Sequence, residues 1–150
     1  MFDPEKDLKD IDKLTRELYQ SISFVEGGKP EPDKLKDLLL DDARMINTDP
    51  EIPVNFGVGE FIESFKDALS AGALKEFNEK EVSHKTEIFG RIAQRFSTYE
   101  ARFDAGAKEP AAVGINSIQF VKTDEGWKVS GMCWFNQKKE NPIPQKYLSE

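Results

Sequence analysis

Residues 113–135 read VGINSIQFVKTDEGWKVSGMCWF, and this stretch decides the fold class. Two runs rich in β-branched and aromatic residues flank residues 123–126, TDEG, whose acidic residues and final glycine are typical of a hairpin turn. Both runs have apolar residues on both faces, whereas a hairpin with one wet face alternates apolar and polar residues. The sequence therefore predicts a β-hairpin that is covered on both sides.

The alternation along the hairpin assigns its two faces. We expect Trp127 and Val129 to pack with Ile118 and Phe120 against helices, because these residues share one face if the alternation is unbroken. The opposite face of the sheet then contains Met132 and Trp134 beside Ser117, Gln119 and Val121. Aromatic and methionine side chains among uncharged polar groups are typical of the core of an interface.

Composition limits the class of protein. A chain of 150 residues with 38% hydrophobic and 33% charged residues is expected to form a single globular domain over residues 1–150. Cys133 is the one cysteine of the sequence, which excludes intramolecular disulfides and is consistent with the reducing cytoplasm, the location that we expect. The net charge of −7 argues against a nucleic-acid partner, and no apolar stretch is long enough for a membrane helix.

Helical patterns precede strand patterns along the chain. Asp3 and Pro4 form a helix start, and the apolar stripe that follows is predicted to end at the glycines of residues 27–30. Further helices are predicted at 32–40 and 58–71, with a brief strand at 42–46 between them. Strands are predicted at 82–89, 92–103, 114–122 and 127–137. This order predicts an α+β domain with N-terminal helices packed on a curved antiparallel sheet.

Several segments carry a resemblance to a known family. They are residues 18–22 (LYQSI), 38–46 (LLLDDARMI), 89–90 (FG), 96–100 (FSTYE) and 126–129 (GWKV). In this order and spacing, over essentially the whole chain, they resemble the nuclear transport factor 2-like superfamily. That superfamily includes ketosteroid isomerase, scytalone dehydratase, limonene epoxide hydrolase and polyketide cyclases. The resemblance implies a cone with an internal pocket between the helices and the sheet, but it does not settle function.

The resemblance to ketosteroid isomerase can be tested at three positions. Tyr19 falls at the position of the tyrosine on the first helix, Asn47 at that of the base and Asn116 at that of the protonated acid. An amide cannot take a proton from a substrate near neutral pH. The ketosteroid isomerase mechanism is therefore expected to be absent, although the three side chains could still form hydrogen bonds with a ligand.

The dehydratases of the superfamily use histidines with an aspartate, and this chain has the single histidine His84. Tyr19 and His84 are the candidates for catalytic residues. The simpler interpretations are a structural histidine and a tyrosine that caps the core with its hydroxyl towards water. A lyase, isomerase or hydrolase of the SnoaL-like type that uses Tyr19 and His84 is the alternative function.

The first interpretation is a protein that binds a small hydrophobic ligand in a pocket, without cofactor or metal. The resemblance and the alternation of residues predict that the pocket is lined by Tyr19, Met45, Asn47, Phe61, Phe65, His84, Asn116, Ile118 and Trp127. Members of the family commonly dimerise through the outer face of the sheet. We therefore expect a homodimer through Ser117, Gln119, Val121, Met132 and Trp134.

Overall fold

The N-terminal helix α1 spans Pro4–Ile22 in the computed structural model, which describes residues 1–104 and 106–149. Asp3 caps this helix, because its Oδ1 accepts a hydrogen bond from the backbone N–H of Lys6 at 3.2 Å. Its buried face contains Ile11, Leu14 and Leu18. The helix ends before the glycines that the sequence indicated as its end, since the backbone at Ser23 turns into an extended conformation.

Two further helices complete the helical layer. A short 3₁₀ turn at Pro32–Lys34 leads into α2, which spans only Leu35–Leu38 because the next residue, Leu39, already belongs to a strand. The predicted helix at 32–40 is therefore too long at its C-terminal end. Helix α3 spans Val58–Ser70, and Glu60 accepts a hydrogen bond from the backbone N–H of Gly57 at its start.

Six strands form one curved, unclosed sheet within the part of the chain that the structure describes. Their spatial order is β2-β1-β6-β5-β4-β3. The strands are β1 (Leu39–Asn47), β2 (Val54–Gly57), β3 (Asn78–Phe89), β4 (Ile92–Arg102), β5 (Ala112–Thr123) and β6 (Gly126–Asn136). The predicted α+β class and the hairpin, now β5 and β6, are confirmed. Strand β2 was missed, because four residues with an exposed Val54 give little alternation.

The sheet is mixed rather than antiparallel. Strands β1 and β6 run parallel, with Met45 opposite Met132 and Asn47 opposite Trp134, whereas every other neighbouring pair is antiparallel. A parallel pair requires a long crossover between its strands. Here the crossover contains β2, α3 and the three strands β3 to β5. Local sequence patterns do not reveal such a pairing.

A β-bulge at Ser130 reverses the two faces of β6. Phe120 lies opposite Val129 but Gln119 lies opposite Gly131, so Ser130 is an extra residue in β6. Trp127 and Val129 face the helices, as expected. Beyond the bulge, however, Met132 and Trp134 face the helices too, and they pack against the hydrophobic core. Their predicted place on the outer face, beside Ser117, Gln119 and Val121, is therefore wrong.

The core lies between the helices and the concave face of the sheet. Buried Asp7 joins α1 to the hairpin: it accepts hydrogen bonds from Lys122 Nζ at 2.8 Å and from Trp127 Nε1 at 3.0 Å. These two bonds hold the pKa of Asp7 below its usual range. The buried apolar cluster comprises Ile11, Leu14, Leu18, Leu35, Leu38, Leu39, Ala43, Met45, Val58, Ile62, Ala93, Ile118, Phe120, Trp127 and Val129.

The C-terminal segment crosses the outer face of the sheet. Thr98 donates a hydrogen bond to the carbonyl oxygen of Tyr147 at 2.6 Å, and the ring of Tyr147 packs on that of Phe96. Lys85 donates to the carbonyl oxygen of Ser149. This segment therefore covers part of the convex face, next to β3 and β4. None of the described helices is long and apolar enough to cross a membrane.

Candidate functional site

A groove of about 470 Å³ lies between α1 and the first half of β3. The α1 residues that line it recur at intervals of three or four, so they share one face of the helix. The β3 residues come from the strand at the edge of the sheet. The lining residues are Asp12, Thr15, Arg16, Tyr19, Gln20, Ser23, Asn78, Glu79, Lys80, Glu81, His84 and Arg95.

A directed chain of hydrogen bonds runs along the wall of the groove. Ser97 donates its one hydroxyl proton to Glu81 Oε2 at 2.5 Å, so Tyr19, at 2.6 Å from Ser97 Oγ, must be the donor to Ser97. Asn116 Nδ2 in turn donates to the hydroxyl oxygen of Tyr19 at 2.9 Å. The Tyr19 oxygen therefore has one proton engaged and one lone pair in use, and it retains a second lone pair.

The buried positive charge of Arg95 lies at the end of this series of hydrogen bonds. Only 2% of its side chain is exposed, and it binds both oxygens of Glu81, at 2.6 and 3.0 Å, as well as Asp12 at 2.7 Å. Burial lowers the pKa of Arg95, but the hydrogen bonds that it donates to Glu81 and Asp12 outweigh this effect and raise it. The guanidinium thus fixes two carboxylates and, through Glu81, the orientation of Ser97 and Tyr19.

Three carboxyl residues line the groove, and Glu79 is the one that forms no ion pair with a described arginine or lysine. Burial raises its pKa to about 7 from 4.5, and the Asn116 amide opposes the shift only partly. None of the ion pairs among the described residues includes Glu79. Burial, and next the charge of Glu79, also raise the pKa of Tyr19, so that Tyr19 stays protonated.

A second buried tyrosine lies on the same concave face. Tyr99 donates to Asn136 Oδ1, and its ring lies over Gly114, where a Cβ atom would collide with the Tyr99 hydroxyl. Burial, followed by the charge of Glu79, raises the pKa of Tyr99. Glu79 therefore acts electrostatically on two neutral tyrosines, one on α1 and one on β4.

Comparison with solved structures shows which fold this is. No protein-family model matches the sequence, and no curated protein matches it. A protein of unknown function from Pseudomonas putida KT2440, described as NTF2-like, superposes with a TM-score of 0.70 at 9% identity, over 95% of each chain. A proposed dehydratase of the NTF2-like family from Streptomyces avermitilis superposes with a TM-score of 0.64 at 18% identity, over 88% of this chain and 96% of that one.

A proposed scytalone dehydratase from Novosphingobium aromaticivorans DSM 12444 superposes with a TM-score of 0.63 at 14% identity, over 90% of this chain and 87% of that one. The chain has the nuclear transport factor 2-like fold. The resemblance that the sequence indicated is thereby confirmed for the fold. Identities this low carry no function over to this chain.

Within this nuclear transport factor 2-like fold, three of the predicted site residues come together. Tyr19 and Asn116 are joined by a hydrogen bond, and His84 lines the same groove as Tyr19. His84 Nδ1 lies 3.1 Å from Thr86 Oγ1. Tyr19 and His84 thus line the groove, and Asn116 contacts the hydroxyl of Tyr19 without lining it.

The other predicted residues lie elsewhere in the fold. Met45, Ile118 and Trp127 belong to the buried core. Asn47 does not line the groove, and its Oδ1 accepts a hydrogen bond from the backbone N–H of Asp49 at 3.0 Å. The two phenylalanines make edge-to-face contacts, Phe61 with Trp134 and Phe65 with Phe24.

The charged part of the groove was missed from the sequence. The predicted strand began at residue 82, so Glu79 and Glu81 lay outside it, although their spacing of two places them on one face of a strand. A bulge at Val82 then shifts the alternation, since Glu81 lies opposite Tyr99 but Ser83 lies opposite Thr98. As a result Glu79, Glu81 and His84 all face inward. The described residues contain no group of three His, Cys, Asp or Glu side chains that could hold a metal ion.

Proposed function

We propose that the protein binds a small molecule in the groove between α1 and β3, and that this molecule carries hydrogen-bonding groups. The observation that supports the proposal most is the ordered chain from Asn116 through Tyr19 and Ser97 to Glu81. Such a chain holds polar atoms in fixed positions beside an accessible volume, which is how ligand sites obtain specificity.

The groove supports a ligand that is more polar than the sequence suggested. The expectation was a small hydrophobic ligand in a mainly apolar pocket, but the apolar candidates Met45, Ile118 and Trp127 contribute to the core. The groove instead offers carboxylates, amides and hydroxyls. A ligand with an apolar body and one or two polar groups fits this lining better than a hydrocarbon does.

Ketosteroid isomerase chemistry has no support in this site. Asn47 is an amide and its side chain is engaged in a turn, and the Tyr19 proton is donated to Ser97 rather than into the groove. We therefore expect no isomerisation of a β,γ-unsaturated ketosteroid above the rate in buffer. Turnover by the unmodified protein would contradict this assignment.

A blocking substitution tests the binding proposal. Gln20 is exposed and lines the groove, so Gln20→Trp should fill part of the volume without disturbing the core. Benzyl alcohol, titrated into the protein and followed by amide NMR, is expected to shift signals of residues 15–23 and 78–84, and to do so more weakly in Gln20→Trp. Lys13→Trp, at an exposed position of α1 outside the groove, is the matched control and should bind like the wild type. Shifts that are absent, or confined to the convex face, would overturn the proposal.

A proton-transfer enzyme is the second candidate, and Glu79 is the observation that favours it. A carboxyl with a pKa of about 7 that borders a groove can both take and return a proton at neutral pH. The same wall contains Tyr19 and His84, the residues of the lyase, isomerase or hydrolase alternative. Two of the similar solved structures are described as proposed dehydratases, which is consistent with this class of reaction.

The probe 5-nitrobenzisoxazole tests this second candidate. A base removes its ring C–H proton while the N–O bond breaks, and the resulting phenolate is measured by absorbance. If Glu79 is the base, the wild type should exceed the buffer rate with a midpoint near pH 7, and Glu79→Gln should lose that excess. Glu87→Gln, on the exposed side of the same strand, should retain it. Equal rates in wild type and Glu79→Gln would exclude the candidate for this group.

A further inference from the structure

We propose that the ligand of the groove is a small organic amine in its ammonium form, held by the carboxylate of Glu79. The inference rests on the proposed binding function and names the chemical class of the ligand. It is carried by three features of the groove: the position of Glu79, the commitment of the neighbouring cations, and the acceptors that surround the carboxyl.

Glu79 is placed towards the interior by the register of the sheet. It lies opposite Ala101, which is buried on the concave face, and its side chain borders the groove. The Asn116 amide on β5 lowers the pKa of this carboxyl, and the charge of Glu79 in turn raises the pKa values of Tyr19 on α1 and Tyr99 on β4. The carboxyl is therefore desolvated by protein on several sides and open to the groove on another.

The cations around the groove do not neutralise this carboxyl. Arg95 is already paired with two carboxylates, those of Glu81 and Asp12. Lys80 is exposed at the rim of the groove and forms no ion pair with Glu79. Arg16 is exposed on α1. Across residues 1–104 and 106–149, no ion pair includes Glu79, so its ionised form has no paired cation and an ammonium ligand would supply one.

The polar atoms near Glu79 match the three N–H donors of an ammonium group. The carboxylate supplies one or two acceptors, and the Tyr19 oxygen retains one lone pair after donating to Ser97 and accepting from Asn116. A carboxylate ligand would instead be repelled by Glu79 once that residue is ionised.

Binding of an ammonium group should depend on pH in a defined direction. The ion pair requires ionised Glu79, so a proton must leave this residue before or as the amine binds. The other titratable or charged groups that face the groove are Asp12, Arg16, Tyr19, Lys80, Glu81, His84 and Arg95, with Tyr99 behind Glu79. The Glu79→Gln variant separates the contribution of Glu79 from theirs.

Calorimetric titration with three ligands of equal size tests the inference: benzylamine, benzyl alcohol and benzoate. For the wild type, benzylamine should bind more tightly than the other two, with an affinity that rises roughly tenfold between pH 6 and pH 8. Glu79→Gln should weaken benzylamine at pH 8 by at least about tenfold and remove most of the pH dependence. Glu87→Gln is the matched control and should leave both unchanged, because Glu87 is exposed and lies outside the groove.

The outcomes separate this inference from the binding function on which it rests. If benzyl alcohol binds in the groove as tightly as benzylamine, or if Glu79→Gln leaves benzylamine unaffected, the amine inference is overturned and groove binding stands. Tighter binding of benzoate also overturns it. If none of the three ligands binds and Gln20→Trp changes nothing, both proposals fall.

Discussion

At the scale of single residues, the most informative group is Glu79. Its pKa is raised from 4.5 to about 7 by burial, so the folded protein holds this proton more tightly than the unfolded chain does. The free energy of unfolding contributed by this group is therefore highest below about pH 4.5 and falls as the pH rises through 7. A half-buried acid whose ionised form is disfavoured costs stability at neutral pH, and such groups often occur at functional sites.

Because the ionised form of Glu79 lowers the free energy of unfolding, removing its charge should stabilise the protein at high pH. Glu79→Gln keeps the size of the side chain but has no charge, so it should raise the stability at pH 8 by on the order of 1–3 kcal/mol, after allowance for partial exposure. The gain should vanish near pH 4, where the wild-type carboxyl is protonated. Denaturant unfolding at several pH values measures this. A difference that is constant between pH 4 and pH 8 would contradict the assigned burial, and Glu87→Gln provides the baseline.

A second prediction at this scale concerns Gly114. A Cβ atom here would collide with the Tyr99 hydroxyl and lie 2.6 Å from the carbonyl oxygen of Phe135. Gly114→Ala should therefore cost about 1–3 kcal/mol, because the buried tyrosine has to move. Gly59→Ala is the control, since no atom lies within 4 Å of its Cβ position and a helix favours alanine. If both variants unfold at the same denaturant concentration, the close approach of Tyr99 is not real.

At the scale of elements, two single-residue bulges explain most of the difference between expectation and structure. Alternation assigned Trp127 and Val129 correctly, because they precede the bulge at Ser130. It failed for Met132 and Trp134, which follow that bulge. Val82 has the same effect on β3, where it brings His84 to the face of Glu79 and Glu81. An extra residue leaves no signal in composition, so alternation alone cannot reveal it.

Adjacent residues of β6 test the reversed alternation. Trp134 packs against Phe61 and the core, whereas Phe135 lies on the outer face opposite Ile115. Trp134→Glu should thus lower the stability by about 2–4 kcal/mol, because it places a charge beneath the helical layer. Phe135→Glu should change the stability of the subunit far less. Equal losses, measured by denaturant unfolding at low protein concentration, would argue against the bulge.

The helices illustrate which element signals are reliable. The cap at Asp3 and the apolar stripe predicted the start of α1 correctly, because both act within one helical turn. The end of α1 and the length of α2 were less well predicted, since tertiary contacts decide where Ser23 and Leu39 enter extended structure. The parallel pairing of β1 with β6 is a long-range property, and no local pattern specifies it.

At the scale of the whole molecule, the fold was far more predictable than the site. Many weak signals along the chain agree on one architecture, so errors of a few residues do not change it. The site depends on a few side chains whose directions must all be right. Tyr19 and Asn116 were placed together by resemblance, whereas Glu79 required the start of β3 and one bulge to be known. The arrangement of charges therefore emerged only from the three-dimensional structure.

The convex face of the sheet is the remaining large surface, and we propose that it joins two copies of the chain. Ser117, Gln119 and Val121 lie on this face, as expected. Beyond the bulge they are accompanied by Cys133 and Phe135 rather than by Met132 and Trp134. The C-terminal segment covers one part of the face, but Ile92, Phe96 and Phe135 remain 59%, 41% and 39% exposed. Apolar side chains in this number favour an interface over a bare surface.

The last prediction concerns this assembly. The wild type should have the mass of two subunits in light scattering at micromolar concentration, and Phe135→Glu should have the mass of one, because two copies related by a two-fold axis would bury like charges together. Ser64→Glu adds the same charge on the exposed side of α3 and should remain dimeric. Trp134→Glu distinguishes the two faces of β6, because it should destabilise the subunit itself rather than only dissociate the dimer. A wild-type mass of one subunit would refute the dimer. If Trp134→Glu is monomeric and fully stable, Trp134 belongs to the interface, as unbroken alternation predicted.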